Sequence, residues 1–523
     1  MEFRFWCIVL LYLCGASLVW SVWDKWMGYR KKRPPGPMRI PILGNLLLML
    51  PAVMDPTKSK SSSYFLNNWV NFKPAYIIIH SMTKIFGPIM SLKFGINHAI
   101  IVGSSKYVKE VFCREEFTHR YADDWFTERS FGKPLGLIFI NDEPYKKIKN
   151  FTVRNLKDFG FGKKQTMEAA VEEELLQFLD YFQEKSKRSG GVVHMEHAFT
   201  LPVLNILWNM VAGSRFSYED QKLKTLISDV EELSRSFDIG GNILMAFPLL
   251  RYVAPELTGH TQQMGIYRKL HEYFRSMLTE RRVLGSYSEN PRDFVDIFLQ
   301  KMDENNNSES DEKDLYTEEQ FIMVCLDLFT AGSETNANTL DFGILYMILN
   351  PGVQRKVQAE IDEVIGKSRL PVYADRLNMP YTEATILEIQ RMCNVIPLVH
   401  RVCTKDTVLG GYHIKKKDVM IANLHSVHMD EQVWDNPGQF RPERFLSSSG
   451  SLKPSSHFLP FGIGKRVCIG EALAKLTLFM YFTAVLQRFS FSKAPGYPPP
   501  SENPGKGFTV CPDAFYALVK TRV

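Results

Sequence analysis

The chain has 523 residues, 45% of them hydrophobic, enough to bury one large core or two lobes. A formal charge of +6 without an RNA- or DNA-binding motif argues against a nucleic-acid-binding protein. Eight cysteines scattered without paired spacing exclude a disulfide framework and a CxxC zinc site, and point to a reducing compartment.

Phe5 to Trp23 carries no charge and is long enough to cross a bilayer as a helix. Only Arg4 and the terminal amine precede it, offset by Glu2, whereas Lys25, Arg30, Lys31, Lys32 and Arg33 come after it. The positive-inside rule then leaves the body of the protein in the cytosol. Gly15-Ala16-Ser17 offers a cleavage site for the rival reading as a signal peptide, but the reversed charge balance favours an uncleaved anchor over residues 1–24. Pro34-Pro35-Gly36-Pro37 stiffens the backbone, so 25–37 is read as a basic, semi-rigid linker. Lys58-Ser59-Lys60-Ser61-Ser62-Ser63 reads as a surface insertion.

Ile89 to Val102 predicts a strand pair turning at Gly95-Ile96-Asn97. Helical patterns occupy 104–113, 165–186, 200–213, 221–236, 261–284 and 292–302. Asp303 to Asp314 is acidic and Asn/Ser-rich and is expected to be a solvated loop. The sequons at Asn150 and Asn306 carry no glycan in a cytosolic body.

Thr317 to Leu349 is the longest helical stretch, with Thr317 and Gln320 in a capping-box pattern and Asn350-Pro351-Gly352 as its stop. At ~1.5 Å per residue it spans roughly 48 Å. Its apolar positions occupy more than one face, which predicts burial nearly all round. Ala331-Gly332-Ser333-Glu334-Thr335 interrupts it: two small residues give room for a ligand, then a carboxylate and a hydroxyl stand where a core helix prefers leucine. Such a pair suits proton delivery; the plainer reading is a kink with satisfied polar groups.

Tyr381 to Asn394 is a further helix carrying Glu388 and Arg391 three apart, a spacing that is usually a solvated salt bridge of little worth. Phe440-Arg441-Pro442-Glu443-Arg444-Phe445 lies beyond it. Next comes Phe461-Gly462-Ile463-Gly464-Lys465-Arg466-Val467-Cys468-Ile469-Gly470, a glycine-punctuated loop ending at one cysteine, before a helical pattern from Glu471 to Phe489. The helix N-terminus and Arg466 are expected to favour a Cys468 thiolate, and Gly464 and Gly470 to let the backbone pass close to something flat and bulky. A thiolate so presented suits a haem iron; an inert buried cysteine is the alternative.

The order Phe-x-x-Gly-x-Arg-x-Cys-x-Gly resembles the haem-binding signature of the cytochrome P-450 family. Ala-Gly-x-Glu-Thr, Glu-x-x-Arg and Pro-x-Arg-Phe resemble its other motifs in the right order, and the proline run resembles the hinge of microsomal members. The resemblance covers residues 34 to 523. Arg114-Glu115-Glu116-Phe117 and Phe151 to Gly162 are similar to arthropod members of the group that also holds vertebrate drug- and steroid-oxidising forms.

The resemblance implies a mainly α fold with a smaller β-rich part, occupying 38–523 behind one transmembrane helix. It implies haem b as cofactor with Cys468 as iron ligand, and Phe461, Gly464, Arg466 and Arg401 against the haem. Thr335 and Glu334 would handle protons. Glu388, Arg391 and Arg444 would form a buried lock for the cysteine loop. Tyr145 and Lys149 stand where the family carries Trp and Arg against a propionate, and Asn336 where Thr or Ser is usual; His400 stays open as an ordinary histidine. The cavity would be lined from 121–135, Leu328–Ala331, Pro397–Val399 and near Phe508–Cys511.

The expected activity is insertion of one oxygen atom from dioxygen into an apolar small molecule such as a terpenoid or steroid. Electrons would come from NADPH through a flavoprotein reductase, with cytochrome b5 as a second donor the family allows. The reductase would dock on the basic run Lys146, Lys147, Lys149, Arg154, Lys157, Lys163 and Lys164. The expected location is the endoplasmic reticulum membrane, single-pass, with the catalytic body facing the cytosol. Oxime formation from aromatic amino acids, a reductase-independent haem-thiolate isomerase or dehydratase, and a haem sensor or carrier are the alternatives; the hydroxyl of Thr335 argues against the last two.

Overall fold

The structure, a computed structural model, describes residues 32–40, 42–49, 74–95, 97–122, 124–236, 243–306, 314–505 and 507–522. The expected membrane anchor, most of the basic linker and the Lys58–Ser63 insertion lie outside these. Among the described residues no helix is long and apolar enough to cross a membrane.

The first helix, α1 (Ala75–Phe86), is absent from the expected helices because Ile77-Ile78-Ile79 is a β-branched run of low helix propensity. Strands β1 (Ile89–Phe94) and β2 (Asn97–Val102) form the expected antiparallel pair. Helices α2 (Ser105–Cys113), α3 (Asp142–Asp158), α4 (Lys164–Arg188), α5 (Thr200–Ala212), α6 (Gln221–Ser236), α7 (His260–Leu284) and α8 (Phe294–Asn306) come next, with β3 (Val192–His194) between α4 and α5. Helix α8 continues through Asp303 to Asn306, so the acidic stretch expected to be a loop is helical at its start.

The long helix α9 (Glu318–Leu349) is the axis of the molecule, packed against α5, α7, α11 (Pro380–Cys393) and α13 (Glu471–Arg488). Thr317 caps it, its side chain accepting from the Gln320 amide at 3.2 Å. The reciprocal half of the expected capping box is missing. Gln320 instead turns its own amide onto Gly136, donating to its carbonyl and accepting from its N–H at 3.2 Å each. Pro351 ends α9 but also starts α10 (Pro351–Val364), at the helix position where a missing N–H costs nothing.

The mixed sheet has the order β1-β2-β7-β4, with β4 at Leu398–Val402 and β7 at Val419–Asn423, which runs on into the short helix α12 (Leu424–His428). Every residue of β7 is buried; it runs parallel to β2 and antiparallel to β4, tying the early chain to the late chain. A hairpin of β5 (Thr407–Leu409) and β6 (Tyr412–Ile414) stands beside it, and β3 joins β8 (Phe489–Lys493) and β9 (Tyr516–Thr521) in a second small sheet. A mainly helical body thus carries a smaller β part.

A buried arginine cluster, a cysteine loop and the long helix

The cysteine loop is fixed by its own backbone. The Cys468 amide donates to the Phe461 carbonyl at 3.0 Å and the Val467 amide to Gly464 at 3.1 Å. Gly464 sits at φ +80°, and a Cβ there would fall 2.2 Å from the carbonyl oxygen of Phe112. Its glycine is already required by the close approach of the end of α2. Phe461 is half-buried, its ring 5.6 Å from the Lys475 ammonium.

The Cys468 side chain is exposed. It precedes Gly470, the N-cap of α13, so it lies outside the helix rather than in its first turn. Desolvation raises its pKa, opposed by the Gly470 N–H. The guanidinium of Arg466 is not among the groups that act most strongly on it. That guanidinium is turned away, donating to Ile140 O at 2.7 Å, Asn141 Oδ1 at 3.0 Å and Thr118 O at 3.3 Å. A metal's own charge deprotonates a coordinating thiol outright, so the chain does not need a pre-formed thiolate.

Arg466 shares its neighbourhood with Arg401 on β4 and with Arg120. The bridge between His119 and Val402 lays the 118–120 segment along the edge of β4. There Arg120 and Arg401 both donate to the His400 carbonyl, at 3.2 and 2.9 Å. Burial, and then the charge of Arg466, hold Arg120 down to about 10; Arg401 is depressed further by burial and by both neighbours. None of the three has a carboxylate within ion-pair distance among the described residues. Three guanidiniums facing one another without an anion are costly to bury. The cluster fits the two propionate groups of a haem, and Cys468 belongs to the same loop as Arg466.

Tyr145 is buried on α3 with Lys149 one turn on, its ammonium 5.7 Å from the Tyr145 ring. The tyrosine hydroxyl donates to the Lys465 carbonyl at 3.4 Å. His400, half-buried and flanked by two arginines, has its pKa driven well below the usual range by desolvation and then by their charges. Sequence reasoning missed Arg120 and Asn141. No local pattern marks them, because their partners lie hundreds of residues away.

In α9 the Thr335 hydroxyl donates to Ala331 O at 2.9 Å, while Ala331 itself is exposed. Gly332 packs against α5, where a Cβ would meet the Leu207 side chain at 2.4 Å. Glu334 does not reach Thr335. It turns to the C-terminal segment, accepting from the Thr509 hydroxyl, which lies 2.6 Å from Ser234 Oγ of α6. Burial pushes Glu334 up to about 7 against those hydroxyls, and its Oε1 has no hydrogen-bond partner. The 508–511 segment is held beside α11 by the Val510 amide on Val395 O at 2.8 Å. One turn and more before Ala331, buried Asp327 accepts from the Leu137 and Ile138 amides at 2.7 and 2.8 Å, pinning the 133–140 loop across α9.

Glu388, Arg391 and Arg444 are brought together. Glu388 accepts from Arg391 Nε and Nη2 at 2.8 and 2.9 Å, from Arg444 Nε at 2.9 Å and from the Arg441 amide at 2.8 Å. Both residues of the helical pair are fully buried. The remaining guanidinium donors go to the carbonyls of His428, Pro437, Asp435 and Gln439.

The long buried helix, the small mixed sheet and a buried arginine cluster beside the Cys468 loop define a haem-thiolate oxidoreductase. Residues 56–519 match the family model for cytochrome P450. The chain is 35% identical to farnesoate epoxidase of Bombyx mori, over 94% of each chain. It is 34% identical to human cytochrome P450 2J2 over 88% of this chain and 86% of that one, and 34% identical to human cytochrome P450 2C8 over 92% of each. The chain belongs to the cytochrome P450 family and is a monooxygenase that binds haem b through a cysteine thiolate.

Proposed function

We propose that the chain inserts one atom of dioxygen into an apolar isoprenoid-like small molecule, by epoxidation or hydroxylation, with NADPH-derived electrons passed by a flavoprotein reductase. Cys468 is assigned as the iron ligand, and haem when bound supplies the activation of dioxygen. Arg120, Arg401 and Arg466 hold the propionates, with Tyr145 and Lys149 behind Arg466. Phe461 and Gly464 shape the loop, and Glu388 locks Arg391 and Arg444 so that the loop keeps its position. Thr335 holds a proton at its hydroxyl one turn from the exposed Ala331, and Glu334, whose pKa burial lifts to about 7, holds a second proton on the Thr509 side of the helix without touching Thr335.

The catalytic body is assigned to 38–523, tethered through 25–37 to an anchor at 1–24 in the endoplasmic reticulum membrane and facing the cytosol. Reductase docks on the exposed lysines around α3, with cytochrome b5 as an alternative donor. The silkworm relative, a farnesoate epoxidase, supports the isoprenoid class. The observation that carries the reading is the convergence of three guanidiniums beside the Cys468 loop, with no carboxylate among the described residues to balance them. The test is the carbon-monoxide difference spectrum of dithionite-reduced protein, then NADPH-dependent turnover with reductase. A thiolate-type band lost in Cys468→Ser is expected; an equally active Cys468→Ser protein overturns the assignment.

A further inference from the structure

Arg129 lies in the 121–135 stretch expected to line the cavity and is only 6% exposed. Its guanidinium is held between two rings, the central carbon 4.8 Å from the centre of Phe126 and 4.4 Å from that of Phe139. Those rings pack with Leu244 in a small apolar cluster. The buried hydroxyl of Tyr267 stands beside the same guanidinium. Yet Nε and Nη2 of Arg129 are buried without a hydrogen-bond partner. The nearest acid is Asp327, whose Oδ1 is 3.9 Å from Nη2, too far for a hydrogen bond, while its Oδ2 is committed to the Leu137 and Ile138 amides. The adjacent carboxylate, Glu128, is taken by Arg251 and His260 at 2.9 Å each. A buried, oriented guanidinium thus has its charge partly balanced and two donor atoms unspent, and unspent donors in a dry site are costly.

We propose that Arg129 is a substrate anchor that takes the carboxylate of an isoprenoid acid, so that the hydrocarbon tail runs along α9 toward Ala331 and Thr335. The proposal rests on the monooxygenase reading above and narrows its substrate class. Geometry sets the length: Asp327 and Thr335 are separated by about 12 Å along the helix axis at 1.5 Å per residue. An extended sesquiterpenoid acid spans that distance with its far double bond at the Thr335 end. A carboxylate offers the planar, two-oxygen acceptor that a guanidinium fork matches. An ester or alcohol leaves one donor unsatisfied, so the site discriminates for the acid.

The test is titration of the haem-loaded enzyme with farnesoate, methyl farnesoate and farnesol, read by the ferric spin-state shift and by calorimetry. Wild type is expected to bind the acid more tightly than the ester. R129Q should weaken the acid about 10- to 100-fold while leaving the ester nearly unchanged, and R129K should fall between. Retained ester affinity shows that the variant cavity is intact. Equal affinity of wild type for acid and ester, or an R129Q enzyme that binds acid as wild type does, overturns the anchor. In that case a spin shift with the ester leaves the monooxygenase reading standing, whereas absence of a haem-thiolate spectrum removes that reading itself.

Discussion

The guanidinium of Arg466 lies flat on Tyr145, its central carbon 3.3 Å from the ring centre. Tyrosine here serves as an aromatic floor: it fixes a cation whose other side faces Ile140 and Asn141, and its hydroxyl reaches the next carbonyl in the cysteine loop. Cation–π contacts of this kind contribute about 0.5–2 kcal/mol. Tyr145→Trp should therefore retain haem as wild type does, while Tyr145→Ala should lose it severalfold faster. The rate of haem transfer to an apo-globin acceptor measures this, and equal rates for all three proteins would remove the residue from the site.

Glu334 links stability to pH. Burial raises it from 4.5 to about 7, so the folded state binds a proton that the unfolded chain has released between those values. Its stabilising preference is complete below about pH 4.5 and is lost as pH rises through about 7. Asp341, fully buried on the same helix and also raised, acts in the same direction. Glu334→Gln keeps an acceptor for Thr509 but removes the titration. Relative to wild type it should gain roughly 3 kcal/mol between pH 4.5 and pH 8. Urea midpoints of the two proteins across that range check the sign; parallel curves would show that Glu334 is not buried as an acid.

How much of the fold and the site was legible in sequence depends on the range of each interaction. The helices from α4 to α9 follow from local periodicity, and the β1–β2 hairpin from alternation around Gly95. Glycine was legible as a signal, but the close approach of Gly464 to the Phe112 carbonyl was not, because no local window contains both. Gln320 read correctly as a helix-start residue, yet its side chain is drawn off to Gly136 because the 133–140 loop needs buried backbone partners. Arg120 and Arg129 had no motif at all. Their meaning appears only when the fold shows which cations lack a hydrogen-bonded carboxylate.

Around α3 the side chains of Lys146, Arg154, Lys157, Lys163 and Lys164 are exposed. Two local acids answer them, Glu143 at Lys146 and Asp158, which is 4.0 Å from Lys163. Exposed pairs of this sort are worth little and leave a net positive face. A reductase approaching with acidic residues would be steered by it over about 10 Å at 0.1 M salt. The rate of first-electron reduction should fall severalfold as sodium chloride is raised, and the charge reversals Lys157→Glu and Lys163→Glu should lower it at low salt. A rate indifferent to salt would move the docking surface elsewhere.

The Glu388 site gives the most severe prediction. One carboxylate with no solvent exposure is held by Arg391, Arg444 and the Arg441 amide, and the two guanidiniums spend their remaining donors on the carbonyls of the 428–439 segment. The charge on Glu388 is what lets two cations lie so close in a buried place. Glu388→Ala removes it and leaves both unpaired, at a cost of about 3–5 kcal/mol. Because Arg444 belongs to the short turn at Pro442–Phe445 and Arg391 to α11, their separation loosens the junction ahead of the cysteine loop rather than the loop itself. The expected result is protein that is expressed but largely free of haem, with a urea midpoint far below wild type. Glu388→Gln, which keeps the acceptor oxygen but not the charge, should lie between the two. Normal haem content in Glu388→Ala would mean that the loop holds its shape without this lock.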